Sequence, residues 1–270
     1  MSCAALDGAR IVARIAQLRP GPAAPVIVKA STGSTNDDAK ALARSGPVHG
    51  AVVLAEAQTH GRGRSGSRWY SPAGENLTLS IVLLPGAIGA STATFSLVVG
   101  LCVARAVEAA AGGSLRAGVK WPNDVLVERR KIAGVLIEGA SGQGRATLVV
   151  GVGVNVGSRS FPPELSELAT SLAREGALDV DRSLVAADIV AGVLDAWDAF
   201  ASAGLEPWLG ELARRDALRG RSVRVEAVSG VAEGIAPDGR LLVRTPPGDL
   251  VSVVAGHVEL LDLPAQSPAR

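Results

Sequence analysis

Gln58-Thr-His-Gly-Arg-Gly-Arg-Ser-Gly-Ser-Arg-Trp69 holds three arginines and a histidine among glycines, and no acid. Glycines let backbone N–H groups approach an anion, and arginines grip phosphate oxygens with a planar fork. Read on to Gly74, the stretch shows no obvious regular element, and a loop of that length in a compact domain is usually functional or disordered. It reads as a solvated loop, as an Arg-Gly grip on nucleic acid with Trp69 and Tyr70 interleaved, or as a cover. The cover would be disordered alone and ordered when a phosphate neutralises Arg62 and Arg64. No Walker A pattern occurs, so a nucleotide bound here is not held by a P-loop.

Outward from that loop, a second cluster reads Lys120-Trp-Pro-Asn-Asp124 and then Arg129-Arg-Lys-Ile-Ala-Gly134. Pro122 imposes a rigid, extended approach, with Asn123 and Asp124 at the start of the next strand. The plainer alternative is a β-turn with Trp121 in the core. Lys131 is either a surface lysine beside Arg129 and Arg130 or an ammonium aimed at an anion, since Ala133-Gly134 would let a ligand lie against the strand. Ser34-Thr-Asn36 reads as a helix cap, with Asp37 three residues on from Ser34 as a capping-box partner; Thr35 and Asn36 also offer polar groups to a neutral ligand. Gly151-Val-Gly-Val-Asn-Val-Gly157 is spaced GxGxxxG, with no helix after it and no acid in a βαβ frame, which excludes a Rossmann fingerprint. It reads as a buried strand whose glycines mark a bulge, or one that admits a ligand with Asn155 as a hydrogen-bonding end. The two basic clusters together suggest chemistry on a carboxylate and a triphosphate.

The chain has 270 residues, 47% of them hydrophobic, enough for one large domain and a small second one. A net charge of +1 gives no global field for nucleic acid. Aromatic content is 3%, so alanine, valine and leucine must build the core. Cys3 and Cys102 are isolated, which fits a reducing cytosol and argues against a disulfide scaffold. His49, His60 and His257 show no metal-site spacing. No signal peptide or membrane span is visible.

Helix-like spacing covers residues 5–18, strands are expected at 26–30, 51–57 and 76–84, and a helix opens at Ser34. A buried alanine-rich helix is expected over 93–111. Strands follow near 124–128, 131–138 and 146–156, then amphipathic helices at 183–203 and 206–215. After Leu218 the pattern changes to short runs (222–227, 230–235, 240–244, 250–255, 258–261), two of whose breaks carry Pro-Asp-Gly and Pro-Pro-Gly-Asp turns. Close short strands predict a small antiparallel barrel and a boundary near 217, with a polar tail at the end of the chain.

GRGRSGSRW, KWPNDV, RKIAGVLIE and GVGVNV, in this order, resemble the biotin protein ligases over roughly residues 26–262. The resemblance implies an α+β fold: a class II synthetase-like catalytic domain with a mixed β-sheet flanked by helices (1–217), plus a small C-terminal SH3-like β-barrel (218–270). Too few residues precede the first strand for the winged-helix module of bifunctional relatives, so a ligase without DNA binding is expected. Ser65 stands where many relatives carry another basic residue, leaving Arg62, Arg64 and Arg68 as the cations of the loop.

What the resemblance implies chemically is ATP-dependent attachment of biotin to a lysine of a biotin carboxyl carrier domain of an acyl-CoA carboxylase. The reaction runs through biotinyl-5′-AMP, with Mg²⁺, in the cytoplasm. Lys131, Arg64 and Asp124 are the expected catalytic residues, Asp124 orienting or deprotonating the acceptor amine. Ser34, Thr35, Asn36, Gln58, Gly61, Arg62, Gly63, Arg64, Lys131 and Gly134 fall at biotin-binding positions. Arg62, Arg64, Arg68, Trp69, Asn123, Lys131 and Asn155 fall near the nucleotide. The competing readings are a lipoate or octanoate ligase of the same fold, a nucleic-acid-binding regulator using the arginine loop, and a biotin sensor.

Overall fold

The computed structural model describes residues 3–46, 48–84, 92–142, 145–246 and 248–261. The main sheet is built from β1 (Val26–Lys29), β2 (Val52–Ala55), β3 (Leu77–Leu83), β4 (Ala117–Lys120), β5 (Asp124–Val127), β6 (Arg130–Gly142) and β7 (Arg145–Val154). Its order is β1-β2-β3-β7-β6-β5-β4. Only β1 and β2 run parallel; every other pair is antiparallel, so the sheet is mixed as expected. β4 was not legible in the sequence. Ala-Gly-Val-Lys carries no strand pattern of its own, and it is an edge strand held by β5 alone in this sheet.

The helices are α1 (Gly8–Leu18), α2 (Thr35–Ser45), α3 (Thr92–Ala110), α4 (Arg182–Ala203) and α5 (Leu209–Arg215). On one face of the sheet, Leu77, Leu79, Ile81 and Leu83 stand beside their partners Val154, Val152, Val150 and Leu148 in the main core, under α3 and α4. Phe95 packs its ring 4.9 Å from those of Trp197 and Phe200 there. α4 lies between α1 and α3, which bury Val185, Ile189, Val193, Trp197 and much of the rest of its surface, while Asp195 and Asp198 mark the side left exposed. The opposite face of the sheet carries α2, over a small cluster of Ala39, Ala51, Val53, Val82 and Val149. Beyond that cluster the face stops being apolar. β3 presents Thr78 and Ser80, opposite Gly153 and Gly151 of β7.

A second, antiparallel sheet follows: β8 (Ser222–Val225), β9 (Val228–Ile235), β10 (Leu241–Arg244), β11 (Leu250–Val253) and β12 (Val258–Leu260), in the order β11-β10-β9-β8-β12. Val223, Val225, Ala232, Leu241, Val243 and Val258 turn inward and are buried. The two sheets meet where the Trp121 indole donates to the carbonyl of Gly239 at 2.9 Å and Ala217 N–H donates to Val119 at 3.0 Å. The expected polar tail falls on 262–270, outside the described residues. Among the described residues no helix is long and apolar enough to cross a membrane.

Candidate active site

Directly paired residues of a sheet share a face. The register therefore lines up Thr78, Gly153, Gly134, Asp124 and Lys120 across β3, β7, β6, β5 and β4. The middle of that row has no side chains, so the face sinks into a hollow. The glycines do not mark a bulge, as the sequence had suggested. β7 pairs without a register shift on both sides. A Cβ on Gly153 would overlap the Trp69 indole, and one on Gly151 would overlap the Asn36 amide. The glycines are there because other groups occupy the space above them.

α2 supplies the polar wall. Ser34, Thr35 and Asn36 are buried and line the hollow. Gln58 accepts from Thr35 N–H at 2.8 Å and from its hydroxyl at 3.1 Å. The Ser80 hydroxyl lies 2.8 Å from Thr35 Oγ1 and 2.6 Å from Asn36 Oδ1. Asn36 Nδ2 donates to Glu138 at 2.6 Å. Ser34 differs from the expected cap. It occupies the N-cap position, but its side chain makes no capping bond, and Asp37 turns to Arg62 instead of closing a capping box. The Ser34 hydroxyl is left for the hollow.

The cations separate into three situations. Lys131 Nζ sits 2.6 Å from Asp124 Oδ1 and 5.6 Å from the Trp69 ring centroid, against Gly134. Arg62 forms two parallel bonds to Asp37, 2.6 and 2.7 Å, and a third to Glu138 at 3.2 Å. Two carboxylates thus hold Arg62 at the rim of the hollow, which it also lines. Arg64 reaches only the neutral amide of Asn123, at 3.4 Å. Asn123 is in turn held by donating to Val135 O at 2.7 Å. Arg64 lines this hollow and also a larger one of about 570 Å³ between the two sheets, walled by Trp121, Pro122, Asn123, Asp238 and Arg240. Among the described residues it is the cation lining the two hollows that has no carboxylate partner.

The loop is folded, not featureless. Arg64–Gly66 forms a turn of 3₁₀ helix, with Ser65 at φ 53, and Trp69 N–H donates to Gly61 O at 3.0 Å. This closure lays the indole over Gly134 and Gly153. The space left beneath it is about 50 Å³, far under the roughly 300–1,000 Å³ of ordinary ligand pockets. The Trp69 Nε1 donor is buried with no acceptor among the described residues. An orphaned donor costs about 1–3 kcal/mol, so the indole gains by moving or by meeting a ligand oxygen.

Four expected residues do not line the hollow; Asp124 reaches it through Lys131. Gly61 is buried beneath Trp69, where a side chain would press on the Trp69 carbonyl. Arg68 is exposed, its backbone bridged to Arg62. Asn155 is buried and spent on structure: Nδ2 donates to Thr170 O at 2.9 Å, and its N–H to Ile132 O at 2.8 Å, bracing the strand start that carries Lys131. Lys120 gave no signal as a site residue by itself. Burial pushes its ammonium pKa down, against the pull of Asp124 and with the push of Lys131. Asp37, Ser80 and Glu138 were also missed; a polar Ser80 inside the apolar alternation of β3 was the available clue. No group of three His, Cys, Asp or Glu side chains gathers as a metal cage among the described residues.

The chain matches the biotin/lipoate A/B protein ligase family over residues 28–155 and the biotin protein ligase C-terminal domain over residues 220–261. It is 36% identical over 231 residues to a biotin–[acetyl-CoA-carboxylase] ligase of Paracoccus denitrificans, spanning 81% of this chain and 94% of that one. A ligase of the same name from Mycobacterium tuberculosis is 37% identical over 240 residues, 86% of this chain and 87% of that one. Among solved structures, the biotin protein ligase from Aquifex aeolicus in complex with biotin and ATP superposes with a TM-score of 0.77 at 27% identity, covering 87% of this chain and 98% of that one.

Proposed function

Since the chain belongs to the biotin protein ligases, which attach biotin to protein at the expense of ATP, we propose that its two hollows divide the substrates between them. Biotin lies in the glycine-floored one and ATP in the one between the sheets. The observation that carries this reading is Arg64, which lines both and has no carboxylate partner among the described residues. A junction between a carboxylate and a triphosphate needs positive charge at the seam.

In the first step a biotin carboxylate oxygen attacks the α-phosphorus and pyrophosphate leaves, giving biotinyl-5′-AMP. Lys131 and Arg64 share the charge that develops. Lys131 is delivered there by the start of β6 and is held meanwhile by Asp124. When an anion takes the ammonium, Asp124 is released beside the acyl carbon. In the second step the acceptor amine attacks that carbon, its proton passes to Asp124 or through it to water, and AMP departs. Mg²⁺, which keeps most of its waters and uses few carboxylates, would enter on the triphosphate and share the phosphate charge with Lys131 and Arg64. Entry of biotin requires Trp69 to leave Gly134 and Gly153 or to stack on the ring that replaces it.

The acceptor in this reading is a carrier-domain lysine of an acyl-CoA carboxylase, supported by the names of the two bacterial relatives. The two free cysteines, Cys3 and Cys102, suit a cytoplasmic setting. A division at 217/218 is supported by β8 starting at Ser222 and the second family match at 220. The test is mass spectrometry of a purified carrier domain after incubation with this protein and Mg·ATP, once with biotin and once with lipoate. A biotinyl mass increment in the first arm alone is the expected result. Modification by lipoate alone would assign the rival activity of the shared fold.

A further inference from the structure

We infer that Asp37 and Glu138 are positioning residues: through Arg62 they pin the 61–68 loop across the mouth of the glycine-floored hollow. What the loop guards there, biotin and its adenylate, rests on the reading above. Asp37 stands in the first turn of α2, beside the Thr35 and Asn36 that are bonded to the floor. Glu138 comes from β6 and is itself fixed by Lys40 at 2.7 Å and Asn36 at 2.6 Å. One guanidinium thus ties the loop to a helix and to the sheet at once, and its fork geometry fixes direction as well as distance.

The charges of this group close on themselves. Arg62 and Lys40 face Asp37 and Glu138, two against two. The Arg62 hydrogen bond holds the Asp37 carboxyl below the usual range. Burial pushes Glu138 up, but Lys40, Asn36 and Arg62 together hold it below its ordinary value. Both carboxyls are therefore held in their charged form, and the Asp37 hydrogen bond in turn raises the pKa of the Arg62 guanidinium. Internal bonds also brace the loop as a unit. Gly63 N–H donates to Ser67 O at 2.7 Å, Ser67 N–H to Arg64 O at 3.1 Å, and Trp69 N–H to Gly61 O at 3.0 Å. Breaking the Arg62 tie therefore frees Arg64 and Trp69 together. With side-chain exposures of 37% for Arg62 and 55% for Asp37, the tie is open to screening by salt.

The experiment uses the full chain without substrates and limited trypsin, with scission after Arg64 and Arg68 scored by mass spectrometry. Asp37→Asn and Glu138→Gln are expected to raise that scission about tenfold at low salt, the scale of a charge-assisted pair. Added salt should bring the wild type toward the variants and move the variants little. The biotin dissociation rate, read from Trp69 fluorescence, should rise with scission, and the KM for biotin should rise by more than kcat falls. Asp37→Glu keeps the pair and should cut slowly. Equal scission in the wild type and both single variants, with melting temperatures intact, would overturn the inference. If instead the wild type forms no biotinyl-AMP, the functional reading fails while the scission result still decides the tie.

Discussion

Gly153→Ala is a one-carbon perturbation whose consequence can be worked from the register. Gly153 sits between Thr78 on β3 and Gly134 on β6, bonded in ladders on both sides, so its backbone cannot recede. The added methyl points into the hollow and overlaps the Trp69 indole. Trp69 must move, yet it is held by its N–H bond to Gly61 and lies under the Lys131 ammonium. Forcing a methyl into a filled space costs about 1–3 kcal/mol, a factor of roughly 5 to 150 in an equilibrium constant. The cost falls on the loop and not on the core, because β7's other face, with Val152 and Val154, is untouched. Whether the ring above Gly153 is the indole or the ligand's own, the methyl stands in its place. Calorimetry should therefore show biotin affinity reduced by about one to two orders of magnitude. The melting temperature should fall by only a few degrees. Biotin affinity within twofold of wild type, with an unchanged Trp69 emission spectrum, would refute the floor argument.

Lys131→Ala should slow adenylate formation by about 10²–10³ at saturating substrates, the scale of a lost charge-stabilising donor; pyrophosphate release at a near-normal rate would contradict it. Arg64→Gly removes the group at the seam of the two hollows, so biotinyl-5′-AMP should escape and label lysines of unrelated proteins. Labelling confined to the normal acceptor would argue against Arg64 retaining the intermediate. Glu108 is held below the ordinary carboxyl range chiefly by its hydrogen bond to Arg215, and Glu211 chiefly by Arg105. Because both folded pKa values are depressed, the stability they add is complete at neutral pH and disappears as pH falls below the usual glutamate range. Glu108→Gln should cost about 1–3 kcal/mol at pH 7, and its unfolding midpoint should converge with the wild type's in acid; parallel curves would show that the pair is not the cause.

Much of the fold could be read because its signals are local. The C-terminal strands announce themselves as short alternating runs with Pro-Asp-Gly at a turn, and β8 shows the alternation in its burial. β3 reads as a strand from the alternation of Leu77, Leu79, Ile81 and Leu83, and β7 from its apolar run. The site was legible in membership but not in assignment. Lys131, Gly134, Gln58 and Thr35 do converge on one hollow. The partners of Arg62 were not legible, because nothing along the chain shows that Asp37 and Glu138 come within bonding distance of it. Ser34 has the sequence of a cap, but the partner that would complete the box is recruited elsewhere. Asn155 follows two glycines that do face the site, yet Asn155 itself turns inward to Thr170 and Ile132. In each case the deciding contact is between residues far apart in sequence, which residue type and spacing alone do not encode.

The Trp121 indole ends on the Gly239 carbonyl, three residues before the strand bearing Asp124. The C-terminal module is therefore bonded to the segment that leads into Asp124, the residue proposed to meet the acceptor amine. Anyone building chimeras among these enzymes should treat that carbonyl and indole as a matched pair. A transplanted module that offers a different turn there would yield a protein that folds, binds vitamin and nucleotide, and delivers its cargo poorly.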